Sequence, residues 1–155
     1  MSYRIAGLPL APFRPLFGMD AAALAARRAV RVTASANRGF PCRVGLVDAQ
    51  EGETLILLHH VSHDVATPFR TAYAIYVREA AGASAIHVDA PPPVFAGRTL
   101  SLRGFDRHGM LADAQLAAPG EADAGIRTLF AREEIAYIHA HNAAHGCFAA
   151  RIDRI

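Results

Sequence analysis

Histidine is the residue that first suggests chemistry in this chain. Eight are present, and six fall in two groups: His59, His60 and His63, with Asp64 beside them, and His139, His141 and His145, with Asn142 and Cys147 close by. His87 and His108 stand apart and read as solvated loop residues. On a strand, His139 and His141 point to the same face, because side chains alternate. Two neutral imidazoles on one face suit Zn, Cu, Fe or Ni. His145, Cys147 or the His59/His63 group could supply a third ligand, and three ligands with an open position would activate a water. The spacing contains neither His-Glu-x-x-His nor Cys-x-x-Cys. The plainer reading makes both histidines neutral, hydrogen-bonded groups beside the core.

Nucleophilic chemistry would need Cys147 or Cys42 next to a base. A buried packing role is the common one for free cysteine. The acidic pairs Glu51/Glu53 and Glu133-Glu134 read as solvated turn charges, and Gly104 to Gly109 is a hairpin rather than a phosphate cradle.

The elements that must position these groups are short. If Ala143 to Gly146 form the loop of a terminal hairpin, His141 faces Phe148, His139 faces Ala150 and Tyr137 faces Ile152. One face then carries Tyr137, His139, His141, Phe148, Ala150 and Ile152. The other carries Ile138, Ala140, Asn142, Cys147, Ala149 and Arg151. A slip of one residue would reverse the partner strand. Further strands are expected at Tyr3–Gly7, Val30–Ala34, Cys42–Val47, Thr54–Val61, Thr71–Arg78, Leu100–Phe105 and Met110–Leu116. The apolar run Leu55 to Leu58 predicts a strand buried on both faces. Asp106 and Gly109 mark a hairpin turn with a bulge. Asp20 caps a short N-terminal helix through Arg28. Pro119 to Arg132 is the clearest helix, with Ala122, Ile126, Leu129 and Phe130 on one face. His63 to Arg70 and Glu79 to Pro93 read as loops. Consecutive strands with short turns and two helices predict an α+β fold, a single domain over residues 1–155 with a largely antiparallel sheet.

Composition narrows the classes. The 155 residues are 52% hydrophobic and carry a net charge of +2, which argues for a folded chain rather than a disordered one. All 16 basic residues are Arg, and 33 residues are Ala, biases that a GC-rich coding background would also give. Acidic residues are interspersed among the Arg, which excludes the clustered basic face of a nucleic-acid binder. Two cysteines do not make a disulfide scaffold. Met1 to Gly18, broken by three prolines, does not read as a leader, and no apolar run is long enough to span a bilayer. A cytoplasmic protein with reduced thiols is expected.

Several stretches together carry a resemblance. They are Phe40-Pro41-Cys42-Arg43-Val44, Gly52 to Leu58, Thr67-Pro68-Phe69-Arg70, Ala74 to Val77, Leu100 to Asp106, and Tyr137 to Ala143 followed by Gly146 to Arg151. Over nearly the whole chain the sequence resembles a small bacterial family catalogued only as a domain of unknown function. The resemblance implies a compact bacterial domain and brings no activity, cofactor or site residue with it.

Two functional classes therefore stand. The first is a small-molecule-binding protein with a pocket near the C-terminal hairpin, lined by His139, His141, Asn142, His145 and Cys147, with Cys42, Arg43 and Arg70 as further candidates. Mixed donors on an apolar floor are what such sites use. The second is a metal- or thiol-dependent enzyme using His139 and His141 with Cys147 or Cys42. A structural or partner-binding domain without a pocket is the third alternative. Exposed sheet edges leave room for a homodimer.

Overall fold

The computed structural model describes residues 1–155 and divides them between two antiparallel sheets. The larger has six strands: β1 (Tyr3–Ala6), β5 (Ile86–Val88), β6 (Leu100–Phe105), β7 (Leu111–Ala117), β8 (Tyr137–Asn142) and β9 (Phe148–Arg154). Their order is β5-β1-β9-β8-β6-β7. The smaller is β2 (Ala29–Thr33), β3 (Thr54–His63) and β4 (Thr71–Arg78), in that order. With only three short helices, α1 (Arg14–Phe17), α2 (Ala21–Ala26) and α3 (Ala122–Phe130), the chain is α+β as the sequence predicts.

Each helix follows from local chemistry. The Asp20 carboxylate accepts from the Ala23 N–H at 2.8 Å and starts α2. Helix α3 lays Ile126, Leu129 and Phe130 onto Leu100, Leu102, Ile138 and Ile152 of the larger sheet. Each such side chain stabilises the fold by roughly 1.5–3 kcal/mol when fully buried. A second core joins Ile56, Leu58, Ile75 and Val77 of the smaller sheet to Leu10, Phe13, Leu16 and Leu24 of the N-terminal segment. Leu55 buries on the opposite side, against Ala34 and Ala49, so β3 is covered on both faces, as its unbroken apolar run implies.

Three expectations need correction. Residues 42–47 do not form a strand. Pro41 and Cys42 make isolated bridges, Cys42 beside Tyr76 on the outer side of β4. The chain then turns tightly, with Leu46 in the left-handed region at φ 52°. His87 lies in β5, and His63 closes β3 as a buried residue rather than opening a loop.

The third correction concerns the terminal hairpin. His141 pairs with Phe148 as expected, but a bulge follows. Ala140 then pairs with Ala150, His139 with Arg151, Ile138 with Ile152 and Tyr137 with Asp153. One extra residue on β9 moves Ala150 and Ile152 to the α3 side, where they join the core with Ile138 and Ala140. Arg151 moves the other way, and its guanidinium lies 4.0 Å above the Tyr137 ring. The bulge puts Ala149, Ala150 and Ile152 on the helix-covered face while Phe148 stays with His139 and His141 on the other.

Gly7 ties the two sheets together at the end of β1. A Cβ there would sit 1.9 Å from the Val44 carbonyl oxygen, so only glycine permits the approach. Around it Leu8 N–H donates to Arg43 O at 2.8 Å, and Ala85 N–H donates to Val44 O at 2.9 Å. This seam fixes the backbone from which Arg43 projects.

Candidate functional site

A cavity of about 700 Å³ opens between the 39–43 segment, the outer strand β4 and the hairpin loop after β8. Pro41 and Arg43 come from the first, Tyr73, Ala74 and Tyr76 from the second, and Asn142 to His145 with Cys147 from the third. Arg98 and Thr99, just ahead of β6, complete the wall, and Leu57 contributes from β3. No lining residue is acidic.

Arg43 organises this wall. It is 1% exposed. Its Nε donates to Phe148 O, its Nη1 to Pro41 O at 2.7 Å and its Nη2 to Cys147 Sγ at 3.2 Å. Its backbone is pinned to the edge of β4 by N–H donation to Tyr76 O at 3.0 Å. Burial holds the guanidinium below its ordinary basicity, while Cys147 acts in the opposite direction. No carboxylate reaches it. Arg98, by contrast, grips Asp48 with both Nη atoms, at 2.7 and 2.9 Å, so that charge is neutralised.

The hairpin loop presents Cys147. Asn142 and Cys147 close it through Asn142 N–H to Cys147 O at 3.0 Å, and Gly146 N–H returns to Asn142 O at 2.7 Å. Gly146 takes φ 77°, a conformation that costs other residues energy. The Asn142 side-chain Nδ2 donates to Cys147 Sγ at 3.3 Å. The sulfur thus accepts from two side-chain donors, one of them a buried cation.

His139 and His141 lie together on one face, but inside the protein rather than on the cavity wall; both are at most 2% exposed. They belong to an aromatic layer between the sheets. His139 stands 4.9 Å from His63, 5.4 Å from Phe105 and 5.1 Å from Phe148, centroid to centroid, and His141 stands 6.4 Å from His139. His63 Nδ1 donates to Phe69 O at 2.9 Å, and its Nε2 accepts from the Tyr137 hydroxyl at 2.7 Å. His141 Nδ1 donates to Gly146 O at 2.9 Å and so braces the loop that carries Cys147. His139 Nδ1 has no hydrogen-bond partner. Burial, with His63 and Arg151 adding repulsion, pushes His139 down to about 3. Burial outweighs the Gly146 carbonyl and pushes His141 down to about 4. Both rings are neutral at physiological pH.

Of the residues singled out from the sequence, the fold brings Arg43, Asn142, His145 and Cys147 onto one cavity. It sets His139 and His141 behind that wall. Cys42 is enclosed in the second core, its sulfur accepting from Arg78 N–H at 3.3 Å and Gly45 N–H at 3.5 Å. Arg70 pairs with Asp64 at 3.0 Å on the surface and does not line the cavity. No three His, Cys, Asp or Glu side chains are placed to share one metal ion. Sequence reasoning missed Tyr73, Tyr76, Arg98 and Thr99. The tyrosines fit an ordinary strand pattern, and only the pairing of Cys42 with Tyr76 brings β4 to the site.

A chain whose two sheets meet in this way, with a cavity at the hairpin loop, matches a known family. The family described as "Protein of unknown function (DUF1203)" matches residues 39–154, and the protein belongs to it. The matched range contains every residue that lines the cavity. No curated protein and no solved structure matches the chain.

Proposed function

We propose that this protein binds a small organic anion in the cavity between the 39–43 segment, β4 and the β8–β9 loop. The observation that carries the reading is that Arg43, Asn142, His145 and Cys147 line one cavity whose lining holds no acidic residue, Asp48 behind it being engaged by Arg98. A volume of about 700 Å³ is within the range that small-molecule sites occupy, and its Tyr and Leu walls supply apolar floor. Three of the five guanidinium N–H groups of Arg43 are used by the protein, which leaves two for a guest carboxylate.

The arginines do not favour nucleic acid as the partner. Arg31, Arg70, Arg78, Arg98, Arg127, Arg132 and Arg151 are each paired with a carboxylate, which offsets part of the positive charge, while Arg4, Arg14, Arg27, Arg28, Arg38 and Arg107 are exposed without such a partner. No helix is long and apolar enough to cross a membrane. Two unpaired cysteines fit a reducing bacterial cytoplasm. The edge strand β7, with Leu116 71% exposed, is the surface on which a second copy would pair.

Titration of ¹⁵N-labelled protein with succinate, and with succinamide as the neutral counterpart, tests this reading. Saturable shifts of the Asn142 side-chain amide and Arg43 Nε–H with succinate alone are expected. Equal responses to both compounds, or shifts scattered over the surface, would remove it.

A further inference from the structure

We infer that Cys147 is a nucleophilic thiol that forms a covalent bond with a small carboxylate-bearing electrophile held in the cavity. The inference rests on the anion-binding reading and goes beyond it in assigning chemistry. Cys147 does not stand alone. Arg43 is a buried cation, and a buried cation without a counter-charge is costly. Its polar contacts are two backbone carbonyls and one sulfur. The carbonyls cannot take a formal charge; the sulfur can. Asn142 Nδ2 donates to the same sulfur at 3.3 Å, so two donors are aimed at it. Two donors so placed favour the negative charge that develops on the sulfur as it attacks, since hydrogen bonds to a charged acceptor are the stronger ones.

Position completes the case. Cys147 is half-buried on the wall of the cavity, within reach of a guest, whereas Cys42 is fully enclosed. A carboxylate drawn in by Arg43 would carry its electrophilic atom past Sγ. The step balances without an oxidant. The thiol proton leaves to water at the cavity mouth, because His145 makes no hydrogen bond to the sulfur. The sulfur electron pair forms an S–C bond, the bond from that carbon to its leaving group breaks, and the leaving group departs with the bonding electrons.

The test compares iodoacetate with iodoacetamide on the full chain at neutral pH, resolving Cys42 and Cys147 by peptide mass spectrometry. The urea-unfolded chain supplies the reference ratio of the two rates. In the folded protein Cys147 alone should be labelled. Its iodoacetate-to-iodoacetamide rate ratio should exceed the unfolded reference by about tenfold, the effect of one nearby positive charge. Asn142→Ala, which leaves both cores intact, should slow Cys147 with both reagents by roughly fivefold. A ratio no higher than in urea, or a Cys147 rate no faster than unfolded, overturns the inference. Failure to label alongside retained succinate binding removes the nucleophile and keeps the binding site. Loss of succinate binding with a raised ratio removes the binding reading instead.

Discussion

Nη2 of Arg43 lies 3.2 Å from Sγ of Cys147, across 104 positions of sequence. The contact joins the segment beside β4 to the hairpin of the larger sheet, so the cavity wall and the junction of the two sheets are one structure. Replacement of Arg43 by Met would leave the Pro41 and Phe148 carbonyls without their donor. A loss of about 1–3 kcal/mol in urea unfolding is expected, the cost of leaving a buried acceptor unsatisfied, since no opposite charge is stranded by the change. A variant as stable as the parent would show that Arg43 does not brace this junction.

The neighbouring histidines should behave differently. His139 Nδ1 is already without a partner, so His139→Phe removes an unsatisfied group. Its stability should stay within about 1 kcal/mol of the parent. His141→Phe removes the bond to Gly146 O and should loosen residues 143–147. Backbone amide exchange in that loop should accelerate in the second variant only.

Acid sensitivity follows from the same layer. Burial holds His139 at about 3 and His141 at about 4, and lowers His60 as well, with His59 adding repulsion. Unfolded histidine takes up a proton near pH 6.5. Between these values the unfolded chain binds more protons than the folded one, so stability is fully present above about pH 6.5 and falls as pH is lowered. The His139/His141 pair should cost roughly 2 kcal/mol between pH 6 and pH 5, before most carboxylates titrate. Thermal unfolding across this window checks it, and His139→Phe should remove about half of the slope. A flat profile in the parent would contradict burial of both rings.

Gly7→Ala tests the seam behind Arg43. With Val44 O only 1.9 Å from the new Cβ, backbone must move. Loss of several kcal/mol, or failure to fold, is expected from such overpacking. A near-native melting temperature would mean that β1 and residue 44 are not held this closely.

Much of this fold was legible in the chain. Strands β4 and β6 fall at the expected residues, and Asp20 caps α2 because its carboxylate must find an N–H donor. The face of α3 was readable from the spacing of Ile126, Leu129 and Phe130. The bulge in β9 was not, since it answers to α3 packing across the sheet rather than to any local signal. Residues 42–47 alternate like a strand, yet the demand to bridge β4 and reach Gly7 turns them. At the site, Asn142, His145 and Cys147 were near one another in sequence; Tyr73, Tyr76 and Arg98 reach them only through pairing distant along the chain.

The central claim is that Arg43 makes the cavity receptive to anions and aims them at Cys147. The most direct measurement is the ratio of iodoacetate to iodoacetamide rates at Cys147, folded against unfolded. A ratio raised about tenfold in the folded protein is the predicted result. Indifference to the charge of the reagent would contradict it.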